Sequence, residues 1–388
     1  MTCKASFVYS NKFLDYQFHS DHPFNQKRVL LAKELLEDIN LLTNTDIIKP
    51  RTATEEELAL FHDLSYIQAV QKASNGKMQA DEGLEYGIGT EDTPIFDGMH
   101  EASSYLVGGT LTAIDSVLQG KSDHALNLGG GLHHGFQRKA SGFCIYNDGA
   151  VAIKYIREKY DLKVLYVDTD AHHGDGVQWA FYDDPNVCTF SIHETGRYLF
   201  PGTGNVNERG IKEGHGYSFN IPIDAFTEDE SFINIYESAF REIVEYFKPD
   251  VILTQNGADA HMYDPLTHLC ATMDIFERIP LLAHELAHQY CNGRWIALGG
   301  GGYDMWRVIP RAWAQIWSVM KTDNVQKGDL PSVWQSKWQK ESPVTLPAHW
   351  HDNKSIVPTI PRKADITEKN EKALQSALKY AKNIQKNI

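Results

Sequence analysis

The stretch KVLYVDTDAHHGDG, residues 163–176, runs from an apolar, β-branched segment directly into Asp168, Asp170, His172, His173 and Asp175. A nearly continuous apolar run is the mark of a strand buried on both faces. Carboxylates and imidazoles resist such burial unless they are paired or hold a metal. The end of this strand is therefore where chemistry is expected. The same transition recurs three times: HALNL at 124 leads into GGGLHHGF, DVILTQ at 250 into NGADAH, and RWIAL at 294 into GGGGYD. Further strands are read at SFVY (6), NVCTFSI (186) and YSFNIPI (217), and helical period at 97–119, 149–160, 228–247, 274–291 and 304–320. Such alternation predicts an α/β fold, a mostly parallel central sheet with helices on both faces. In these sheets the ligand crevice lies beyond the carboxyl ends of the strands.

Composition narrows the function classes. A formal charge of −14 over 388 residues argues against general affinity for nucleic acid or anionic membranes, and suits cationic, lysine-rich partners. The five cysteines (Cys3, Cys144, Cys188, Cys270, Cys291) are scattered without CxxC spacing, so neither a disulfide framework nor a cysteine zinc ribbon is expected and a reducing, cytoplasmic setting is. The first residues, MTCKASFVYSNKF, lack the apolar core of a signal peptide, and no run approaches the length of a membrane span. Residues 1–320 read as one catalytic domain. Composition shifts after that point, and 321–388 read as a Pro-, Trp- and Lys-rich arm, packed on or extending from the domain and without a clear period. It ends in a terminal helix, DITEKNEKALQSALKYAKNI, with Asp365 as N-cap. No catalytic residue is expected in the arm.

Asp168, Asp170 and His172 are spaced by two and project to one side if strand geometry persists. Carboxylates that close need a cation, and oxygen with imidazole nitrogen suits zinc or a similar divalent ion. Asp259 in NGAD offers another carboxylate, so Asp170, His172 and Asp259 make three ligands and leave a coordination position open. A solvated Asp/His loop is the competing reading of the segment by itself. Adjacent His133 and His134 gain meaning from Asp168 and Asp175, which could orient them as two Asp–His dyads. Tyr303 follows flexible glycines and could donate to an oxyanion, although by itself it reads more readily as a core tyrosine opening the helix at 304. HELAH, 284–288, matches the HExxH protease pattern. On a helical wheel, however, Ile279, Leu282, Ala283, Leu286, Ala287 and Tyr290 form the apolar stripe, which leaves His284, Glu285 and His288 on a face expected to meet water.

Taken together, FHSDHPFNQKRV, GTEDTPIFDGMHEAS, GGGLHHGFQRKASGFCIYND, VDTDAHHGDGVQ, FPGTG, QNGADAHMYDPL and LGGGGYD resemble the histone deacetylase superfamily, with its arginase/deacetylase-like fold, and within it the bacterial acetoin-utilization members. The resemblance spans roughly residues 5 to 320. It implies zinc-dependent hydrolysis of acetyl-lysine amides, with release of acetate. It also implies Asp170, His172 and Asp259 as ligands of Zn2+, with Fe2+ as the alternative in cells, and His133, His134, Asp168, Asp175 and Tyr303 as catalytic residues. Asp97, Gly142, Phe143 and Phe200 would contact substrate, and Arg28 would line an internal cavity. K+ would bind through Asp168 and Ser191 with carbonyls of Asp170, His172 and Ile192. The implied partner is an acetylated protein, with acetyl-CoA synthetase of acetoin and acetate metabolism the leading candidate. Other readings are an acetylpolyamine amidohydrolase, a non-catalytic acyl-lysine binding module and, from HELAH, a zinc protease.

Overall fold

Each apolar run of the sequence becomes a buried parallel strand. The computed structural model describes residues 3–385. Its strands are β1 (Ala5–Val8), β2 (Ile47–Ile48), β3 (His124–Asn127), β4 (Val164–Asp168), β5 (Val187–Glu194), β6 (Ser218–Ile223), β7 (Val251–Gln255) and β8 (Trp295–Leu298). They form one sheet in the order β2-β1-β3-β8-β7-β4-β5-β6, and every pairing is parallel. β3, β4, β5, β7 and β8 are buried along their whole length, which is why β4, β7 and β8 show no polar alternation.

Helices cover the sheet in two groups. Met99–Leu118 packs on Asp148–Tyr160, and in the other group Lys27–Asp38, Ile309–Thr322, Met273–Tyr290, Asp229–Phe247 and Lys363–Gln385 pack in succession. The helix expected at 304–320 begins only at Ile309. The peptide N–H groups of Val308 and Ile309 donate to the carbonyl of Asp304, so residues 304–308 form a turn that leads out of the glycine loop. The two-residue β2 was not expected, being too short to carry a pattern.

The arm after residue 320 differs from its reading in two respects. It contains a helix, Ser332–Trp338, whose Trp334 and Trp338, four residues apart, are both buried against the first long helix. Trp334 Nε1 donates to Leu31 O (3.0 Å) and Trp338 Nε1 to Glu34 Oε2 (3.1 Å). The terminal helix starts at Lys363, two residues before Asp365, so Asp365 lies in the first turn and is not the N-cap. A carboxylate there still suits the positive end of the helix.

The register decides where the chemistry sits. Asn127, Leu298, Gln255, Asp168 and Ser191 are partners in a row across β3, β8, β7, β4 and β5. The four motif-bearing loops therefore leave adjacent strands at one level.

Candidate active site

The ligand set is assembled from the loops after β4 and β7. Asp170, His172 and Asp259 are all buried, and one ligand atom of each lies within 4.8 Å of the others. His172 Nδ1 is 2.9 Å from Asp259 Oδ2 and 3.2 Å from Asp170 Oδ1. The carboxylates are held by donors from the ends of β4, β7 and β8. Gln255 Nε2 and the Gly301 N–H each donate to Asp170 Oδ2 at 2.7 Å, and the Ala171 N–H donates to Asp259 Oδ1 at 2.8 Å. Burial and the charge of Asp170 push Asp259 up to about 7. Burial lowers His172, but its hydrogen bonds to both carboxylates outweigh this and hold it up near 10. The three groups share excess negative charge that a cation would offset. A Cβ on Gly301 would lie 2.4 Å from Asp259 Oδ2 and 2.7 Å from Asp170 Oδ2, so only glycine leaves the oxygens accessible. Two carboxylates and one imidazole in this cradle fit a divalent ion of the zinc type with a position left open.

The tandem histidines lie beside it. His133 Nδ1 is 2.8 Å from Asp168 Oδ2, His134 Nδ1 is 2.7 Å from Asp175 Oδ1, and the two Nε2 atoms are 3.0 Å apart. Each Nδ1 donates to its carboxylate, which leaves Nε2 for chemistry. The environments push the pair apart. Burial lowers His133, yet Asp168 and Asp170 outweigh it and raise it to about 9, whereas burial and the charge of His133 lower His134.

Sequence reasoning missed what holds this loop. Asp148, at the start of its helix, accepts from the N–H groups of Gly131 (3.0 Å) and Leu132 (2.8 Å) and from Thr110 Oγ1 (2.6 Å). Asn147, the N-cap of the same helix, donates to the carbonyls of His133 (3.2 Å) and Gly135 (2.9 Å), and its own N–H donates to buried His62 Nε2 at 3.0 Å. The signal was an Asn-Asp pair opening a helical period within a quoted motif.

Tyr303 is half-buried, its ring centroid 6.5 Å from that of His172 and 5.7 Å from that of Phe143. Burial and the charges of Asp259 and Asp170 push its phenol well above the usual range, so it remains a donor. Its N–H donates to Asp264 Oδ2 at 2.8 Å, a second support absent from the sequence reading. Phe200 lies on the outer side, 46% exposed, its ring centroid 5.0 Å from that of His134. Gly142 and Phe143 both have positive φ, 53° and 66°. A Cβ on Gly142 would stand 2.3 Å from His134 Cδ2, so the position demands glycine. Phe143 is strained there, and two bonds hold it: Asp92 Oδ2 accepts the Gly142 N–H (2.7 Å) and Tyr16 donates its hydroxyl to the Phe143 carbonyl (2.7 Å). Asp97 is exposed just before the helix Met99–Leu118, and neighbouring Phe96 packs 5.5 Å from the Tyr16 ring. Arg28 is buried, donates to Gly302 O (2.9 Å) and stacks over Phe24 (4.3 Å). Asp168 and Ser191 face each other across β4 and β5.

HELAH lies elsewhere, and one part of its reading is corrected. His284 is buried rather than exposed, because the start of the chain and His124 cover that side of the helix. Glu285 points to solvent and pairs bidentately with Arg241 (2.6 and 2.9 Å). A protease needs that glutamate at the metal, so the motif is not a protease site.

Comparison with known proteins agrees with this geometry. The histone deacetylase domain model matches residues 22–320. The chain is 63% identical over 373 residues to the acetoin utilization protein AcuC of Bacillus subtilis (strain 168), covering 96% of each chain. It is 46% identical over 369 residues to the AcuC protein of Staphylococcus aureus (strain MRSA252), covering 95% of each. Among solved structures, an HDAC homolog from Aquifex aeolicus superposes with a TM-score of 0.84 at 30% identity, over 96% of this chain and all of that one. The same degree of likeness extends to an HDAC homolog complexed with SAHA, with a TM-score of 0.83. With the family model covering most of the chain and AcuC proteins matching it nearly end to end, the chain belongs to the histone deacetylase family and is a deacetylase.

Proposed function

We propose that this deacetylase uses Zn2+ to hydrolyse acetyl-lysine amides on proteins, releasing acetate, with Asp170, His172 and Asp259 as the metal ligands. The observation that carries the reading is the placing of this ligand set within reach of two Asp-oriented histidines and a protonated tyrosine. When bound, the ion would polarise the amide carbonyl and lower the pKa of a water. The chain's own residues do the rest. His134, oriented by Asp175, takes the proton of the attacking water at Nε2 and returns it to the leaving amine nitrogen as the C–N bond breaks. His133, oriented by Asp168 and favouring its charged form, stabilises negative charge beside it. Tyr303 donates its hydroxyl to the tetrahedral oxyanion. Phe143 and Phe200 offer apolar faces to the lysine stem, Gly142 keeps that wall close to His134, and Asp97 accepts hydrogen bonds from the peptide backbone next to the acetyl-lysine. Arg28 lines a cavity behind the metal. K+ would sit at Asp168 and Ser191, with the carbonyls of Asp170, His172 and Ile192.

The similar relatives are named for acetoin utilization, and on that ground acetylated acetyl-CoA synthetase is the proposed protein substrate, in the cytoplasm. No helix among the described residues is long and apolar enough to cross a membrane. The test compares kcat/KM for an acetyl-lysine peptide, acetylated acetyl-CoA synthetase, a minimal acetyl-lysine analogue and acetylspermidine, with and without chelator. Asp97→Ala should impair the peptide and protein at least about 10-fold more than the minimal analogue, on the scale of a lost hydrogen bond to a charged group. Preference for acetylspermidine would sink the protein-substrate reading, and activity unaffected by chelator would sink the metal.

A further inference from the structure

At the amino ends of the strands, opposite the tandem histidines, Cys3, His124, His284 and His288 converge, and their donor atoms all lie within 4.8 Å of one another. Cys3 precedes β1, His124 opens β3, and His284 and His288 are one turn apart on the helix Met273–Tyr290. His288 Nε2 is 3.1 Å from His284 Nε2, 3.2 Å from His124 Nε2 and 3.3 Å from Cys3 Sγ, and Cys3 Sγ is 3.8 Å from His284 Nε2. A neutral imidazole nitrogen carries either one hydrogen or one lone pair. His288 Nε2 can therefore satisfy only one of these three neighbours by hydrogen bonding, so a hydrogen-bonded network does not account for the convergence. A shared ion does. With Zn–N near 2.0–2.1 Å and Zn–S near 2.3 Å, a tetrahedral site has N···N edges of about 3.3 Å and S···N edges of about 3.6 Å. These four separations fall within about 0.3 Å of such edges, and the remaining pairs lie within 4.8 Å.

The geometry points to a second metal site, closed by one cysteine and three histidines, for Zn2+ or a similar tetrahedral divalent ion, that ties the start of the chain to the helix between β7 and β8. Four protein ligands leave no open position, so the site is structural, not catalytic. Its surroundings are arranged for that role. Asp123 Oδ2 accepts the N–H of Lys4 (2.9 Å) and fixes the chain beside Cys3. The spacing that sequence reading assigned to a solvent-facing helix side thus has a use: histidines at i and i+4 present two ligands to one ion. The site shares no residue with the proposed catalytic metal and does not depend on that reading.

The test uses the full-length protein loaded with Zn2+ and then with Co2+. Metal analysis should find about two Zn2+ per wild-type chain and about one in each of His172→Ala and Cys3→Ser/His288→Asn. Thiolate bound to Co2+ gives a near-ultraviolet charge-transfer band, and only the new site contains sulfur. The band should appear in wild type and in His172→Ala and vanish in Cys3→Ser, which should keep deacetylase turnover within about twofold of wild type. One Zn2+ per wild-type chain at saturation, no charge-transfer band, or a band that survives in Cys3→Ser would each overturn the site.

Discussion

The two ends of the sheet hold histidines in opposite ways. At the carboxyl end, His133, His134 and His172 stand on loops, and each has Nδ1 against a carboxylate at 2.7–2.9 Å. At the amino end, His124, His284 and His288 stand on a strand and a helix, and their Nε2 atoms face one another and a thiol. Loops at strand ends bring carboxylates, glycines and free N–H donors together, so charge can be tuned residue by residue. A helix face and a strand start offer only fixed spacing. The first arrangement suits acid–base chemistry and an open metal, and the second suits a closed clamp.

Removing a ligand on each side is the severest test of the contrast. Asp170→Ala or Asp259→Ala should abolish detectable turnover, since an uncompensated buried charge and a lost ligand coincide. His284→Ala should leave kcat/KM within about twofold. Steady-state kinetics on acetyl-lysine peptide measures both, and a dead His284→Ala enzyme would erase the division of labour.

The next effect is smaller and confined to the carboxyl end. Tyr303→Phe removes only a hydroxyl, so peptide binding should persist while kcat falls by about 100-fold, the scale of one lost oxyanion donor. An unchanged kcat would take Tyr303 out of the reaction.

The smallest effect concerns what supports the tandem-histidine loop. Burial pushes His62 down to about 3, and its neutral Nε2 accepts the Asn147 N–H. A folded value below the ordinary value of about 6.5 means this stabilisation is complete above about pH 6.5 and is lost as the pH falls toward 3. His62→Gln, which keeps an acceptor but does not titrate, should flatten the fall of the urea midpoint between pH 6.5 and 4. An identical slope in the variant would mean that His62 takes no part in acid lability.

Much of this was legible beforehand because the strands are buried on both faces. Continuous apolar runs such as 164–167 and 251–253 stand out, and the residues that break them must be there for a reason. Asp170, His172, Asp259, His133, His134 and Tyr303 stood out as candidates at these breaks, although the His133-His134 pair and Tyr303 carried weight only together with the other loops. What picked them out did not include their supports. Gln255 and Asp264 act through hydrogen bonds to carboxylate or backbone, and nothing in their local pattern separates them from ordinary strand ends and turns; the Asn147-Asp148 pair that opens a helical period reads there as an ordinary cap. The arm misled for a related reason. Trp334 and Trp338 in a helix of seven residues are too short a run to display a period, and their burial depends on Leu31 and Glu34, some three hundred positions away.

By itself the sequence determined the parallel α/β class, the level of the sheet at which chemistry would lie, and the residue types available there, because burial and ligand chemistry are properties of residue types and their immediate spacing. Only the tertiary structure decided the strand order β3-β8-β7-β4, which brings four loops together and sets the expected dyads, His133 with Asp168 and His134 with Asp175, side by side. It alone also brought Cys3 beside His288, 285 positions away in the chain. Crossover connections leave no trace in local pattern, since a helix of the same composition can return the chain to either neighbouring slot, and contact between distant segments is settled only when the whole core packs at once.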